Sequence, residues 1–401
     1  MKNNILFISD SSLKNPILQS QGLPYLSQLD SKSFNVFFIY FEDFNDKEID
    51  KNLIEEIKKI FSPLINYIEV KIDKEGVYPK WFNFIWRSTK VCKRIVQQNN
   101  IHLIHARSFF PALSGVIIKT FFNPSIKVIY DNRGLYIDEH IYNSRIKENS
   151  IKEIVFRWLE KVILKKCDFI VVVSKKFRSY LLYLRIIPDQ LIKNKIEVIP
   201  NRTKIIYTEA EILKNKLTKK ELIECVYSGS LANWQGTHFF YDLLESLIKV
   251  IPEIRFKILS YENNLLQNSA WQKRGLENVV KRMSLSQENV VSELVKSNFG
   301  ILLRPKHILS KVCSPIKFAE YLAAGLPLIL NEDIGDTGET ILKHRVGVII
   351  KNSDFDKAAS DMRALLLDED IYSRCIGVAK SEFDIETSFE QYENIYNKLL
   401  D

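Results

Sequence analysis

Short apolar runs alternate along the whole chain with longer stretches whose apolar positions recur every three or four residues. The short runs read as strands at 5–9, 36–41, 68–72, 102–106, 128–131 and 169–173. A second series follows at 225–229, 255–260, 278–281, 300–303, 328–330 and 347–350. Continuous rather than alternating apolarity marks strands buried on both faces, and the intervening periodic stretches are crossover helices. The pattern predicts an α/β protein with two doubly wound parallel sheets. Between the two series, Ile196-Glu197-Val198-Ile199-Pro200-Asn201-Arg202-Thr203 is a strand running into a Pro-Asn turn, the expected hinge. A polar, Lys-rich stretch at 205–224 then leads into the second sheet. Phe389, Tyr392, Ile395, Tyr396 and Leu399 have helical spacing and close the chain. The expected divisions are 1–198, 199–380 and a terminal helix at 381–401.

Composition narrows the class. At 401 residues, 46% apolar and 26% charged, the chain has the make-up of a globular protein of two ordinary domains. No apolar run reaches the ~18 residues of a membrane-spanning helix, and the apolar core of the first ten residues is too short for a secretory signal, so a cytoplasmic protein is expected. The five cysteines are scattered, without a C-x-x-C or a Cys/His cluster, which indicates reduced thiols and no zinc site. The net charge of +8 fits polyanionic ligands or an anionic membrane surface, but the basic residues form no nucleic-acid signature. G-x-G-x-x-G and Walker A sequences are both absent, so neither a dinucleotide cofactor nor that kind of phosphate loop is indicated. Helix 81–98 mixes Trp81, Phe82, Phe84, Ile85 and Trp86 with Lys80, Arg87, Lys90, Lys93 and Arg94. It packs its aromatics on the sheet or lies against an anionic membrane.

Ligands of doubly wound sheets bind beyond the carboxyl ends of the strands. The fourth strand ends in His105-Ala106-Arg107-Ser108. The fifth runs into Tyr130-Asp131-Asn132-Arg133-Gly134, followed by Asp138 and Glu139. The arginines suit an acidic or phosphorylated group, and the carboxylates suit a sugar hydroxyl or a proton. The first loop, Asp10-Ser11-Ser12-Leu13-Lys14-Asn15-Pro16, is polar and long. In the second half, Gly229 and Ser230 end a strand where backbone approaches closely, and Arg304-Pro305-Lys306-His307 follows another strand end.

The most informative stretch is 314–329. Ser314 is a good N-cap and Pro315 suits the first helical position. Free N–H groups of that first turn, with the positive end of the helix dipole, attract an anion. Lys317 is unfavourable there without one, and Glu320 shares its helix face. Gly325 stops the helix and Pro327 prevents its restart. A phosphate with a vicinal diol satisfies both side chains. The plainer reading is a capped helix with an internal Lys–Glu pair.

Together these features resemble the GT-B glycosyltransferases of family 4, two-Rossmann-domain enzymes that move a sugar from a nucleotide donor. The Ser-Pro-x-Lys-x-x-Glu-Tyr-x-Ala-x-Gly-x-Pro pattern at 314–327 is similar to the family's nucleotide-sugar signature. Tyr227-Ser-Gly-Ser230 resembles its first donor-domain turn, and Ile199-Pro-Asn201 its interdomain segment. His105-Ala-Arg-Ser and the 131–139 run resemble members that build bacterial surface polysaccharides. The resemblance implies two domains facing a cleft, with the terminal helix crossing back onto the first. It places Glu320 on the donor ribose, and Lys317 with the backbone of Ser314, Pro315 and Ile316 on the diphosphate. Gly229 and Ser230 approach from the facing loop, and Met283 to Leu285 read the base. His105 would lie near the transferred sugar, which puts it with Lys317 and Glu320 among the catalytic groups. Arg107, Asp131, Arg133, Asp138 and Glu139 would face a glycan or lipid-linked acceptor. No cofactor or metal is implied; Asp333 near Asp336 reads as a loop. The enzyme would be retaining; the expectation of peripheral contact with the inner membrane surface comes from helix 81–98, not from the resemblance.

Two departures stand out. Val312 occupies the first position of the family's Glu-x7-Glu pair, and Ser230 and Gln235 replace a usual Arg and Lys. Arg304 would compensate. The alternatives are a nucleotide-sugar epimerase or phosphorylase on the same fold, or a catalytically silent binding subunit.

Overall fold

The computed structural model describes residues 2–32, 34–43, 51–61, 65–72, 80–184, 194–217, 222–229, 240–260, 275–276, 278–285 and 287–401. They fall into two compact units, one comprising Met1–Pro200 with Ile385–Asp401 and the other Asn201–Asp384.

The first domain holds strands β1 (Asn3–Ser9), β2 (Phe34–Asp43), β3 (Asn66–Ile72), β4 (Leu103–Arg107), β5 (Lys127–Asn132), β6 (Phe169–Val172) and β7 (Ile196–Val198). Their order is β3-β2-β1-β4-β5-β6-β7, and all neighbours pair in parallel. β7 comes from the stretch expected to be the linker; its Ile196 is buried beside Ile170, which makes it the seventh strand of this sheet. The helices are α1 (Pro16–Gln21), α2 (Leu23–Lys32), α3 (Lys51–Phe61), α4 (Lys80–Gln98), α5 (Phe109–Phe121), α6 (Tyr136–Tyr142), α7 (Ile151–Lys166) and α8 (Lys175–Tyr183). α4 and α7 pack on α5, on one face of the sheet, while α2 and the C-terminal helix Glu386–Leu400 pack on the other. There Phe389, Tyr392, Ile395 and Tyr396 join the core formed by Ile5, Phe7, Phe38, Leu103 and Ile129.

The second domain holds β8 (Ile223–Ser228), β9 (Ile254–Leu259), β10 (Val280–Met283), β11 (Phe299–Leu302), β12 (Leu328–Asn331) and β13 (Gly347–Ile350), ordered β10-β9-β8-β11-β12-β13. The Lys-rich stretch before it, read as a plain lead-in, contains the helix Glu209–Leu217, seated by the fully buried Ile212. The strand order reverses direction between β1 and β4 in the first sheet and between β8 and β11 in the second. At each reversal the flanking helices diverge and leave a crevice at the strand ends.

One side chain joins the second crevice to the helix behind it. Tyr321, fully buried, accepts from the Ser228 N–H at 2.8 Å and donates to the Ile301 carbonyl at 3.4 Å. A Cβ on Gly300 would stand 2.7 Å from the Tyr321 ring, so only glycine lets that ring lie on the sheet. Replacing Tyr321 by Phe leaves the Ser228 N–H buried without a partner and lowers stability by about 1–3 kcal/mol. An unchanged urea unfolding midpoint would remove Tyr321 from this role.

In the first domain, burial pushes the Glu160 carboxyl up from 4.5 to about 7, against the pull of Arg157 at 4.0 Å. The fold prefers the protonated acid, so this group's contribution is fully present below about 4.5 and is lost as pH rises to about 7, by on the order of 3 kcal/mol. The stability advantage of Glu160→Gln over the wild type therefore grows from pH 5 to pH 8. Thermal melts at both values check this; a constant difference contradicts it.

Candidate active site

At the end of β8 the chain turns through Gly229 with φ +154°, and its N–H donates to the Leu259 carbonyl at 3.0 Å. Beside it, β11 runs on to Arg304, whose backbone is locked by Asn331 at the end of β12. Asn331 accepts from the Arg304 N–H and donates to its carbonyl, both at 2.8 Å. Burial lowers the Arg304 pKa below its ordinary 12.5, and the neighbouring Cys313, Tyr227 and Tyr321 work against this. A guanidinium stripped of water gains most when an anion arrives.

The helix Ile316–Ala323 begins one residue later than its sequence suggests. Pro315 is the cap residue and contributes no side-chain hydrogen bond. Ser314, expected to cap, is instead used by Asn201: its Oγ accepts from the Asn201 N–H at 3.0 Å and its carbonyl from the Asn201 side-chain amide at 2.6 Å. The Pro-Asn turn thus secures the loop ahead of the helix. The helix leaves its first N–H groups at the same strand ends as Gly229 and Arg304. Lys317 and Glu320 pair at 2.8 Å along its face. Gly325 ends it with φ +70°. Val312 is buried at 2% exposure.

Sequence reasoning missed Gly335. Its φ is +45°, and a Cβ there would stand 1.9 Å from the Cys313 carbonyl oxygen. Its N–H donates to the Ser310 carbonyl at 2.9 Å. This backbone contact braces the approach to Ser314, and the Gly-Asp turn after β12 was its only sequence signal. Met283 ends the edge strand β10, bonded through its carbonyl to the Ser260 N–H at 3.0 Å; Leu285 lies just beyond it. Both pack partly against the domain core. Ser230, like Gln235, lies outside the described residues.

In the first domain the structure brings His105, Arg107, Asp131 and Arg133 together but encloses them. Asp131 is wholly buried, with His105 Nε2 at 3.4 Å, Arg107 Nη1 at 3.4 Å and Arg133 Nε at 2.8 Å. Burial works to raise its carboxyl, but Arg133, the His105 contact and Arg107 outweigh it and hold the group well below the usual carboxylate range. His105, expected beside a sugar, has no exposed surface. Its Nδ1 meets the Tyr396 hydroxyl, and burial keeps its imidazole below 6.5. The C-terminal helix covers the polar ends of β4 and β5 and turns these groups into scaffold. Arg133 is committed as well, to the Tyr392 hydroxyl and the Ile199 carbonyl. Asp138 accepts two hydrogen bonds from Arg157, each at 2.8 Å, which clamp α6 to α7. Glu139 alone among these carboxylates is exposed.

The half-buried groups at the β1/β4 reversal are others. Asp10, just after β1, accepts from the Ser108 hydroxyl at 2.5 Å, and burial raises its carboxyl. Ser108 holds φ +84° at the start of α5, a strained backbone for a residue with a Cβ. The two lie far apart in sequence and become neighbours only because β1 and β4 pair. Among the described residues no group of His, Cys, Asp and Glu is arranged to hold a metal ion, and no described helix is long and apolar enough to cross a membrane.

Residues 29–202 match the model of Glycosyltransferase Family 4, and residues 252–370 that of the Glucosyltransferase 3-like C-terminal domain. No curated protein sequence matches the chain. Solved structures do. The sucrose-phosphate synthase of Thermosynechococcus elongatus aligns with a TM-score of 0.71 at 15% identity, over 100% of this chain and 99% of its own. Anabaena HepE in complex with UDP aligns at 0.69 and 17%, over 99% and 100%. The lipopolysaccharide outer core galactosyltransferase WaaB aligns at 0.67 and 13%, over 98% and 99%. The structural matches carry the fold, two Rossmann-like domains of the GT-B type; the two family matches are to glycosyltransferase domains, the first to family 4, and the chain is a glycosyltransferase of the GT-B type.

Proposed function

We propose that the protein transfers a sugar from a nucleotide diphosphate sugar to a hydroxyl of a glycan or lipid-linked acceptor in surface-polysaccharide synthesis, with retention of configuration and without a metal ion. The observation that carries this reading is the set of cationic and N–H groups at the β8/β11 reversal. Arg304, the first turn of Ile316–Ala323 and Lys317 lie at the same end of the sheet and suit a diphosphate, and Glu320 stands one helical turn from Lys317 for a vicinal diol. In the reaction the bond from the sugar C1 to the diphosphate oxygen breaks and a bond from C1 to the acceptor oxygen forms. The acceptor proton passes to the departing diphosphate. Negative charge grows on that leaving group, and fixed cations and helix N–H groups lower the barrier by meeting it. The Lys317–Glu320 pair is then a resting state, in which the ammonium is held until the diphosphate draws it away.

The acceptor is assigned to the first domain, at Asp10, Ser108 and Glu139 rather than at the enclosed His105, Asp131 and Arg133. HepE has been captured with UDP, which makes UDP the first donor nucleotide to try. Val312 favours a second reading, a binding subunit without turnover, because the carboxylate expected at that position is missing and the side chain is buried.

A thermal-shift panel of nucleoside diphosphates distinguishes these. At ~100 times its Kd the correct nucleotide stabilises the protein by about 2.7 kcal/mol. Lys317→Ala and Arg304→Ala each weaken its binding roughly 10- to 100-fold, the loss of one charge-assisted contact. Glu320→Ala weakens the nucleotide but not inorganic diphosphate. No stabilisation by any nucleotide would overturn the donor site. Stabilisation without sugar transfer to any lipid-linked acceptor extract would favour the binding subunit.

A further inference from the structure

Helix α7 carries two apolar stripes. Phe156, Ile163 and Leu164 point into the first domain, together with the buried Glu160. At 3.6 residues per turn, Ile151, Ile154, Val155 and Trp158 lie about half a turn around the helix from them. Their exposures are 81%, 64%, 39% and 61%. Burial in the core explains the first stripe and leaves the second without a function in the fold. Isolated apolar residues on a surface need no explanation, but four at i, i+3, i+4 and i+7 form a continuous face.

The charges around that face are of one sign. On the helix, Lys161 borders it on one side and Lys152 and Lys166 on the other, Lys165 lies in line with it two turns beyond Trp158, and all four are exposed, as is Glu148 in the loop before the helix. The acidic residues of the helix, Glu153 and Glu160, lie on the inner side, where Glu153 receives Asn149 and Arg157. A partner protein with an ordinary mixed surface would not require this segregation. A bilayer with anionic headgroups does, because Trp and Ile enter the acyl boundary while lysines reach the phosphates.

We propose that the outward face of α7 is a docking surface for an anionic lipid bilayer, with the helix lying in the plane of the interface. The same helix holds α6 through the two Arg157–Asp138 hydrogen bonds, so docking would bring Glu139 and the β1/β4 strand ends close to lipid-borne acceptors. The biological sense of the proposal rests on the reading of this domain as the acceptor side, whereas its physical content does not. The expectation of membrane contact thereby moves from α4 to α7. α4 buries Phe84, Cys92, Ile95 and Val96 and exposes only Phe82 and Trp86 among its larger apolar side chains, with Lys90 over the Trp86 ring at 5.3 Å.

Co-sedimentation with vesicles of phosphatidylcholine containing about 30% phosphatidylglycerol tests this against vesicles of phosphatidylcholine alone. The wild type is expected to bind the anionic vesicles at least tenfold more tightly, on the order of what several lysines at a charged surface provide, and high salt should remove the difference. Ile154→Glu/Trp158→Glu, on a face that does not support the core, should abolish binding. Lys161→Glu/Lys165→Glu keeps the apolar face and should remove the preference for anionic lipid. Equal binding by wild type and both variants, or no binding by the wild type, overturns the proposal. A lipid-independent fall in solution mass in the first variant would assign the face to a second copy of the chain and overturn it as well. Stabilisation by nucleotide, measured on the same samples, reports separately on the donor site.

Discussion

Asp131 ends a central strand with none of its surface open to water, and its negative charge persists there because Arg133, Arg107 and His105 converge on it. Two of these partners reach onward. Arg133 meets Tyr392, and His105 meets Tyr396, on the C-terminal helix. Tyr392 in turn stacks on Tyr25 of α2 at 4.7 Å and 22°. Removing Asp131 would take the counter-charge from the buried guanidiniums of Arg107 and Arg133, and breaking a buried pair in this way ordinarily costs about 3–5 kcal/mol. The last residues of the chain are therefore as much part of the first domain as its first strand is, and their attachment is polar as well as apolar.

That network also decides what the strand ends of the first domain can do. His105, Asp131 and Arg133 are taken up in holding the terminal helix, whereas Asp10 and Ser108 stand at the neighbouring reversal point outside that network. The second domain follows the opposite economy. There glycine and tyrosine carry the structural load. Gly300 admits the Tyr321 ring, Gly335 admits the Cys313 carbonyl, and Asn201 secures Ser314. Arg304, Lys317 and Glu320 are thereby held at the end of the sheet.

Strand placement was largely legible because a strand buried on both faces must be apolar throughout, whatever it pairs with. The thirteen residues of polar loop and helix at 205–217 were harder. There Ile212 is the one fully buried anchor of its helix, too few apolar positions to establish a period. β7 was legible as a strand but not as a member of the first sheet, because pairing partners leave no local trace. In the site, the 314–327 pattern announced its helix and the Lys317–Glu320 face correctly. It misassigned Ser314, whose partner is 113 residues away. His105 and Asp131 were recognised as a cluster, but what covers them lies some 260 to 290 positions further along the chain.

The sequence by itself determined the class of protein: two parallel α/β sheets, the residues that end their strands, and a helix start suited to an anion. These follow from local causes, namely residue periodicity, capping chemistry and the need of buried strands for apolar side chains. Only the tertiary structure decided which polar groups are open to a ligand and which are scaffold. It likewise decided that α7 turns a second apolar face outward. Exposure depends on which elements pack together, and that is set by strand order and long-range contacts that periodicity does not encode.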